Sequence, residues 1–137
     1  TWSVVGPAPE GLIDLAASAK DPNVLYAATR GGLLKSADGG KSWTDAYLVR
    51  QPATMVQATP EGEVYAFLVG TGLIRTSEPS LSWQTLGNDF GEGYVLHLAA
   101  APGGERLYAA AVSAQGHEQT LLVSQDGGKT WSPLEGS

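Results

Sequence analysis

Ser36-Ala37-Asp38-Gly39-Gly40-Lys41-Ser42-Trp43 and Ser124-Gln125-Asp126-Gly127-Gly128-Lys129-Thr130-Trp131 are two copies of one eight-residue pattern, and Thr76-Ser77-Glu78-Pro79-Ser80-Leu81-Ser82-Trp83 keeps the same register between them. The middle copy is degraded: Glu78 lengthens the acid, and Pro79 and Ser80 replace both glycines. The chain opens on Thr1-Trp2, which reads as the tail of a fourth copy. Trp2, Trp43, Trp83 and Trp131 stand 41, 40 and 48 residues apart. A fixed period of that length is the mark of a repeat architecture.

The remainder of each period repeats as well. Leu25-Tyr26-Ala27-Ala28, Val64-Tyr65-Ala66-Phe67 and Leu107-Tyr108-Ala109-Ala110 precede the tryptophans, and turn formers precede each tyrosine: Asp21-Pro22-Asn23, Pro60-Glu61-Gly62 and Pro102-Gly103-Gly104. Gly32-Leu33-Leu34-Lys35, Gly72-Leu73-Ile74-Arg75 and Thr120-Leu121-Leu122-Val123 run directly into the eight-residue tracts. Each period therefore holds four short apolar stretches bounded by turns, and no window has helical length and period. This predicts an all-β chain of three four-stranded antiparallel meanders, at about 6–48, 49–88 and 89–137, in a single segment 1–137, with one extra strand at Thr1–Val5. The small inner stretches Leu15-Ala16-Ala17 and Leu98-Ala99-Ala100-Ala101 suit strands crowded near an axis, which favours β-propeller blades over a sandwich.

Composition narrows the function classes. With 137 residues the chain is one domain in size, and 18 Gly with 8 Pro makes it turn-rich. The absence of Cys excludes disulfides, thiolate metal sites and a cysteine nucleophile. A net charge of −6 argues against a nucleic-acid partner. No apolar run is long enough for a membrane span, no charged leader precedes one, and no Gly-rich loop opens a helix to cradle a nucleotide.

In the eight-residue tract, a carboxylate at Asp38 or Asp126 can accept backbone N–H bonds across the turn while Ser36 or Ser124 supplies a second local bond. Gly40 and Gly128, with the glycines before them, permit positive φ, and Trp43 and Trp131 are then free to pack between blades. The pattern resembles the Asp-box, or BNR repeat, carried on the propellers of sialidases, sortilin-type receptors, xyloglucan hydrolases and photosystem assembly factors. That resemblance spans nearly the whole chain. It implies a propeller and leaves the activity open, because the box occurs across all of these functions. In many such bacterial proteins it also implies an extracellular or periplasmic location.

Three blades are fewer than the roughly four to eight that close a propeller. The chain is then either part of a longer propeller, which the surplus strand at Thr1–Val5 favours, or half of a ring closed by a second copy. The sialidase pattern of three arginines, a tyrosine nucleophile and an Arg-Ile-Pro signature is not matched. Arg30, Arg50, Arg75 and Arg106 fall at strand ends or turns, and Tyr26, Tyr65 and Tyr108 recur as packing residues. The expectation is a non-catalytic module binding a protein or glycan partner. The alternative is a fragment of an exported Asp-box glycoside hydrolase whose acids lie elsewhere. A further column of inner-strand residues, Asp14, Met55 and His97, offers a soft metal such as copper a carboxylate, a thioether and an imidazole. His117 lies in a polar insertion, residues 113–119, placed to touch a partner.

Overall fold

In the computed structural model the described residues are 9–47, 50–77, 82–87, 94–101, 105–112 and 119–133. They form three four-stranded sheets, each a meander in chain order. The first is β1 (Leu12–Ala17), β2 (Leu25–Thr29), β3 (Gly32–Ser36) and β4 (Thr44–Asp45); the second is β5 (Ala53–Ala58), β6 (Glu63–Leu68), β7 (Gly72–Ser77) and β8 (Gln84–Gly87). The third is β9 (Tyr94–Ala100), β10 (Leu107–Val112), β11 (Gln119–Ser124) and β12 (Ser132–Pro133). The expected strand Thr1–Val5, the degraded turn at Glu78-Pro79-Ser80, and His117 lie outside the described residues.

Register ties the repeats together. Tyr26, Tyr65 and Tyr108 stand opposite Ala16, Gln57 and Ala99 on the inner strands, and opposite Lys35, Arg75 and Val123 on the third strands. Every inner strand slips register at the same place, skipping Ile13, Thr54 and Leu96 in turn. Such a slip leaves one residue without a cross-strand partner and sharpens the local twist.

The sheets stack through their faces. Tyr26, Ala28 and Leu33 of the first share a buried cluster with Ala53, Val56, Ala66 and Ile74 of the second. Met55, Tyr65, Phe67 and Leu73 of the second pack with Val95, Leu98, Leu107 and Ala109 of the third. The alternation of strand side chains explains the arrangement: odd positions of β6 look one way and even positions the other. Each fully buried aliphatic or aromatic side chain contributes about 1.5–3 kcal/mol, so these two junctions are the core. Polar bonds cross both junctions: the Val56 N–H donates to Asp14 Oδ2 at 3.2 Å, and Thr54 Oγ1 donates to the Val95 carbonyl at 2.5 Å.

Candidate functional site

The two intact turns close in the same way. Ser36 Oγ accepts the Gly40 N–H at 2.9 Å and donates to Asp38 Oδ1 at 2.8 Å; Ser124 does the same with Gly128 and Asp126 at 2.9 and 2.8 Å. Both serines are buried, so these bonds replace water that the hydroxyls have lost. Asp38 Oδ1 takes the Ser42 N–H at 2.9 Å and its Oδ2 the Ser42 hydroxyl at 2.5 Å; Asp126 takes the Thr130 N–H at 2.9 Å and hydroxyl at 2.6 Å. Hydrogen bonds to the ionised form favour it. The Ser42 hydroxyl and N–H hold the Asp38 carboxyl far below the usual carboxylate range, and the corresponding Thr130 groups hold Asp126 down to about 2. Gly39, Gly40, Gly127 and Gly128 all have positive φ. At Gly128 a Cβ would also stand 2.7 Å from Leu86 Cδ1 of the preceding sheet. These carboxylates serve the turn, and at neutral pH they have no proton to give.

The middle copy contrasts with them. Thr76, in the place of Ser36 and Ser124, has a buried hydroxyl with no partner. Its tryptophan nevertheless docks: Trp83 Nε1 donates to the Ala46 carbonyl of the preceding sheet at 2.8 Å, and its ring meets Tyr47 edge-on. Trp131 donates within its own turn to the Gly128 carbonyl at 3.0 Å and packs against the cluster between the second and third sheets. Trp43 Nε1 is buried without an acceptor.

The inner-strand column is real in register, since Asp14, Met55 and His97 face Ala28, Phe67 and Ala110. Its side chains do not converge on an axis. Asp14 and Met55 point at the next blade, Asp14 bonding the second sheet's backbone and Met55 buried against the third sheet, while His97 stands exposed on the third sheet. Among the described residues no group of three or more His, Asp or Glu gathers at one point.

A cleft that sequence reasoning missed lies between the second and third sheets. It has a volume of about 470 Å³ and is lined by Glu63 and Arg75 on one side and by Glu105, Gln125, Asp126, Gly127 and Lys129 on the other. The Gly127 N–H donates to the Glu105 carbonyl at 2.9 Å, which clips the turn against the loop before β10. Arg75, expected at a strand end or turn, sits inside β7 with its side chain 26% exposed, 3.8 Å from Glu63 Oε2. The Tyr65 hydroxyl donates to Glu63 Oε1 at 3.4 Å, and burial together with the Glu63 carboxylate pushes its phenol up. Arg75 also lines a second hollow of about 230 Å³ with Thr76, Ser77, Ser82 and Gln84. The alternation of Glu63, Tyr65 and Arg75 on one face was a readable signal. The residues opposite, 42 or more positions away from Glu63, were not.

No family model and no curated protein matches the chain. Solved structures do. YCF48 from Cyanidioschyzon merolae superposes with a TM-score of 0.68 at 24% identity, covering 93% of this chain and 38% of that one. The GH74 xyloglucanase from Xanthomonas campestris gives 0.67 at 23%, covering 98% and 20%. PorZ, a surface component of the type-IX secretion system of Porphyromonas gingivalis, gives 0.64 at 18%, covering 91% and 19%. The chain is a stretch of β-propeller. Its three sheets are blades, and it spans well under half the length of these three propeller chains.

Proposed function

We propose that the chain is a non-catalytic binding module, a run of Asp-box blades that offers its inter-blade rim to a protein or glycan partner. The observation that carries this reading is the cleft between the second and third blades. It sets Arg75 and Lys129 beside Glu63, Glu105 and Asp126, and among the described residues its lining includes no aromatic ring on which a sugar could stack. Opposed charges around one opening suit a peptide segment that carries both signs, so a protein is favoured over a glycan. A location outside the cytoplasm accords with this reading, as for the bacterial surface component PorZ.

The second reading is a fragment of an exported Asp-box glycoside hydrolase. It is supported by the likeness to GH74 propellers of which the chain covers 20%, a share that leaves room for the acids elsewhere. One experiment addresses both. The chain is titrated calorimetrically with mixed-charge decapeptides, xyloglucan oligosaccharides and sialyllactose, and the sugars are assayed for hydrolysis. Peptide binding that weakens about tenfold or more in Lys129→Glu and Arg75→Glu is expected. Release of reducing sugar by the chain, or peptide binding indifferent to both substitutions, would overturn the module reading.

A further inference from the structure

The chain has two Asp-Gly pairs, Asp38-Gly39 and Asp126-Gly127, and each lies inside one of the intact turns. In an unstructured peptide this pair rearranges readily, because glycine has no Cβ to shield its nitrogen or restrict its backbone. The glycine nitrogen attacks the aspartate side-chain carboxyl carbon. An N–Cγ bond forms, the C–OH bond of the neutral carboxyl breaks, and its hydroxyl leaves as water together with the amide proton. Water then opens the resulting ring between the original main-chain carbonyl and the nitrogen, so that the chain runs on through Cβ as isoaspartate. Nothing is oxidised or reduced.

The closed turn opposes each requirement of that reaction. Ring closure needs the glycine amide free to rotate its nitrogen onto Cγ, yet the Gly39 N–H donates to the Asn23 carbonyl and the Gly127 N–H to the Glu105 carbonyl, both at 2.9 Å. Closure also needs a carboxyl that can rotate and is neutral. Both oxygens are held instead, at Asp38 by Ser36, Ser42 and the Lys41 N–H, and at Asp126 by Ser124 and Thr130. These bonds favour the ionised form and hold Asp126 at about 2 rather than 3.8, so its neutral fraction is smaller folded than unfolded. Asp38 and Asp126 are exposed, so exclusion of water plays no part.

We propose that Asp38-Gly39 and Asp126-Gly127 are latent isoaspartate sites, kept unreactive by the closed turn and released whenever it opens. Isoaspartate lengthens the main chain by one carbon and leaves its free carboxylate on Cα, away from the hydroxyls and N–H groups that held it. The bonds to Ser42 and Thr130 are then lost, and an opening that lasts long enough leaves a permanent mark. The degraded copy carries Glu78-Pro79 at this place, and proline has no N–H to give up.

The whole chain is incubated at one neutral pH and temperature, folded in buffer and unfolded in guanidinium chloride. Isoaspartate is read by enzymatic methyl labelling and located by peptide fragmentation in the mass spectrometer. The unfolded chain should convert at both pairs, and the folded chain at least about tenfold more slowly, since conversion proceeds through opened turns. That comparison needs no variant. Ser42→Ala removes one carboxylate donor from the first turn alone. In this variant, with its fold checked by circular dichroism, Asp38 should convert about tenfold faster than in the wild type while Asp126 keeps its rate. A general loss of structure would speed both pairs together. A folded wild type that converts as fast as the unfolded chain, an unfolded chain that converts at neither pair, or a folded Ser42→Ala variant in which Asp38 gains nothing over Asp126 would each overturn the proposal.

Discussion

The second and third blades share one plan and are held by different means. The second has both faces covered and a turn degraded in sequence, with the Thr76 hydroxyl buried and unpartnered. The third has an intact turn and one open face, with Leu121 half in solvent. The same leucine at the same register contributes to stability in one blade and little in the other, because the neighbouring blade decides what its burial is worth. Conversely, the same small hydroxyl position contributes where it is bonded, at Ser124, and costs stability where it is buried without a partner, at Thr76.

The sharpest way to break that contrast is at the leucines. Leu73→Ala should cost about 2–5 kcal/mol in chemical denaturation, as a cavity between two blades. Leu121→Ala, at a position half in solvent, should stay within about 0.5 kcal/mol. Equal losses would mean that the third blade's face is covered after all. The hydroxyls come next. Ser124→Ala leaves the Gly128 N–H buried without an acceptor and should cost about 1–3 kcal/mol, while Thr76→Val, which removes an unpartnered hydroxyl, should be neutral or stabilising. A smaller effect separates two tryptophans. Trp83→Phe gives up the bond to Ala46 and should cost about 1 kcal/mol, whereas Trp43→Phe has no such bond to lose.

The last contrast is with pH. Asp126 titrates at 3.8 when unconstrained and at about 2 in the folded turn. Its folded pKa is depressed, so its stabilisation is complete above 3.8 and is lost as pH falls toward 2. Asp38 has the same sign and carries its share to lower pH still. The melting temperature should therefore fall with pH across that window. Asp126→Asn should flatten the upper part of the fall, and Asp38→Asn should flatten the fall to its end. A melting temperature indifferent to pH in this range would show that the turns do not govern acid stability.

Much of the architecture was legible in the sequence because each blade repeats its apolar stretches between the same turn formers. The first three strands of every blade fall close to where the Leu-Tyr-Ala and Gly-Leu-Leu stretches place them. The outer strands β4 and β12 are two residues each and begin only after the repeat tryptophan. The turn explains the delay: its bonds hold the backbone through Ser42 and Thr130, and the indole is committed to packing before pairing starts. Asp14, Met55 and His97 share one register on the inner strands, and Asp14 and Met55 turn toward the next blade. The charged cleft was illegible because Glu63 and Lys129 meet only through the stacking of two sheets.

The register slip at Ile13, Thr54 and Leu96 carries a historical meaning. Regular strands with apolar faces arise independently whenever a sheet must be half buried, so their resemblance says little about ancestry. An irregularity is different, because nothing in the pairing rules demands it at that step. The same departure, at the same step of three successive inner strands whose side chains there are isoleucine, threonine and leucine, points to one ancestral blade copied with its imperfection. The backbone has kept that inheritance after the side chains at the site have diverged.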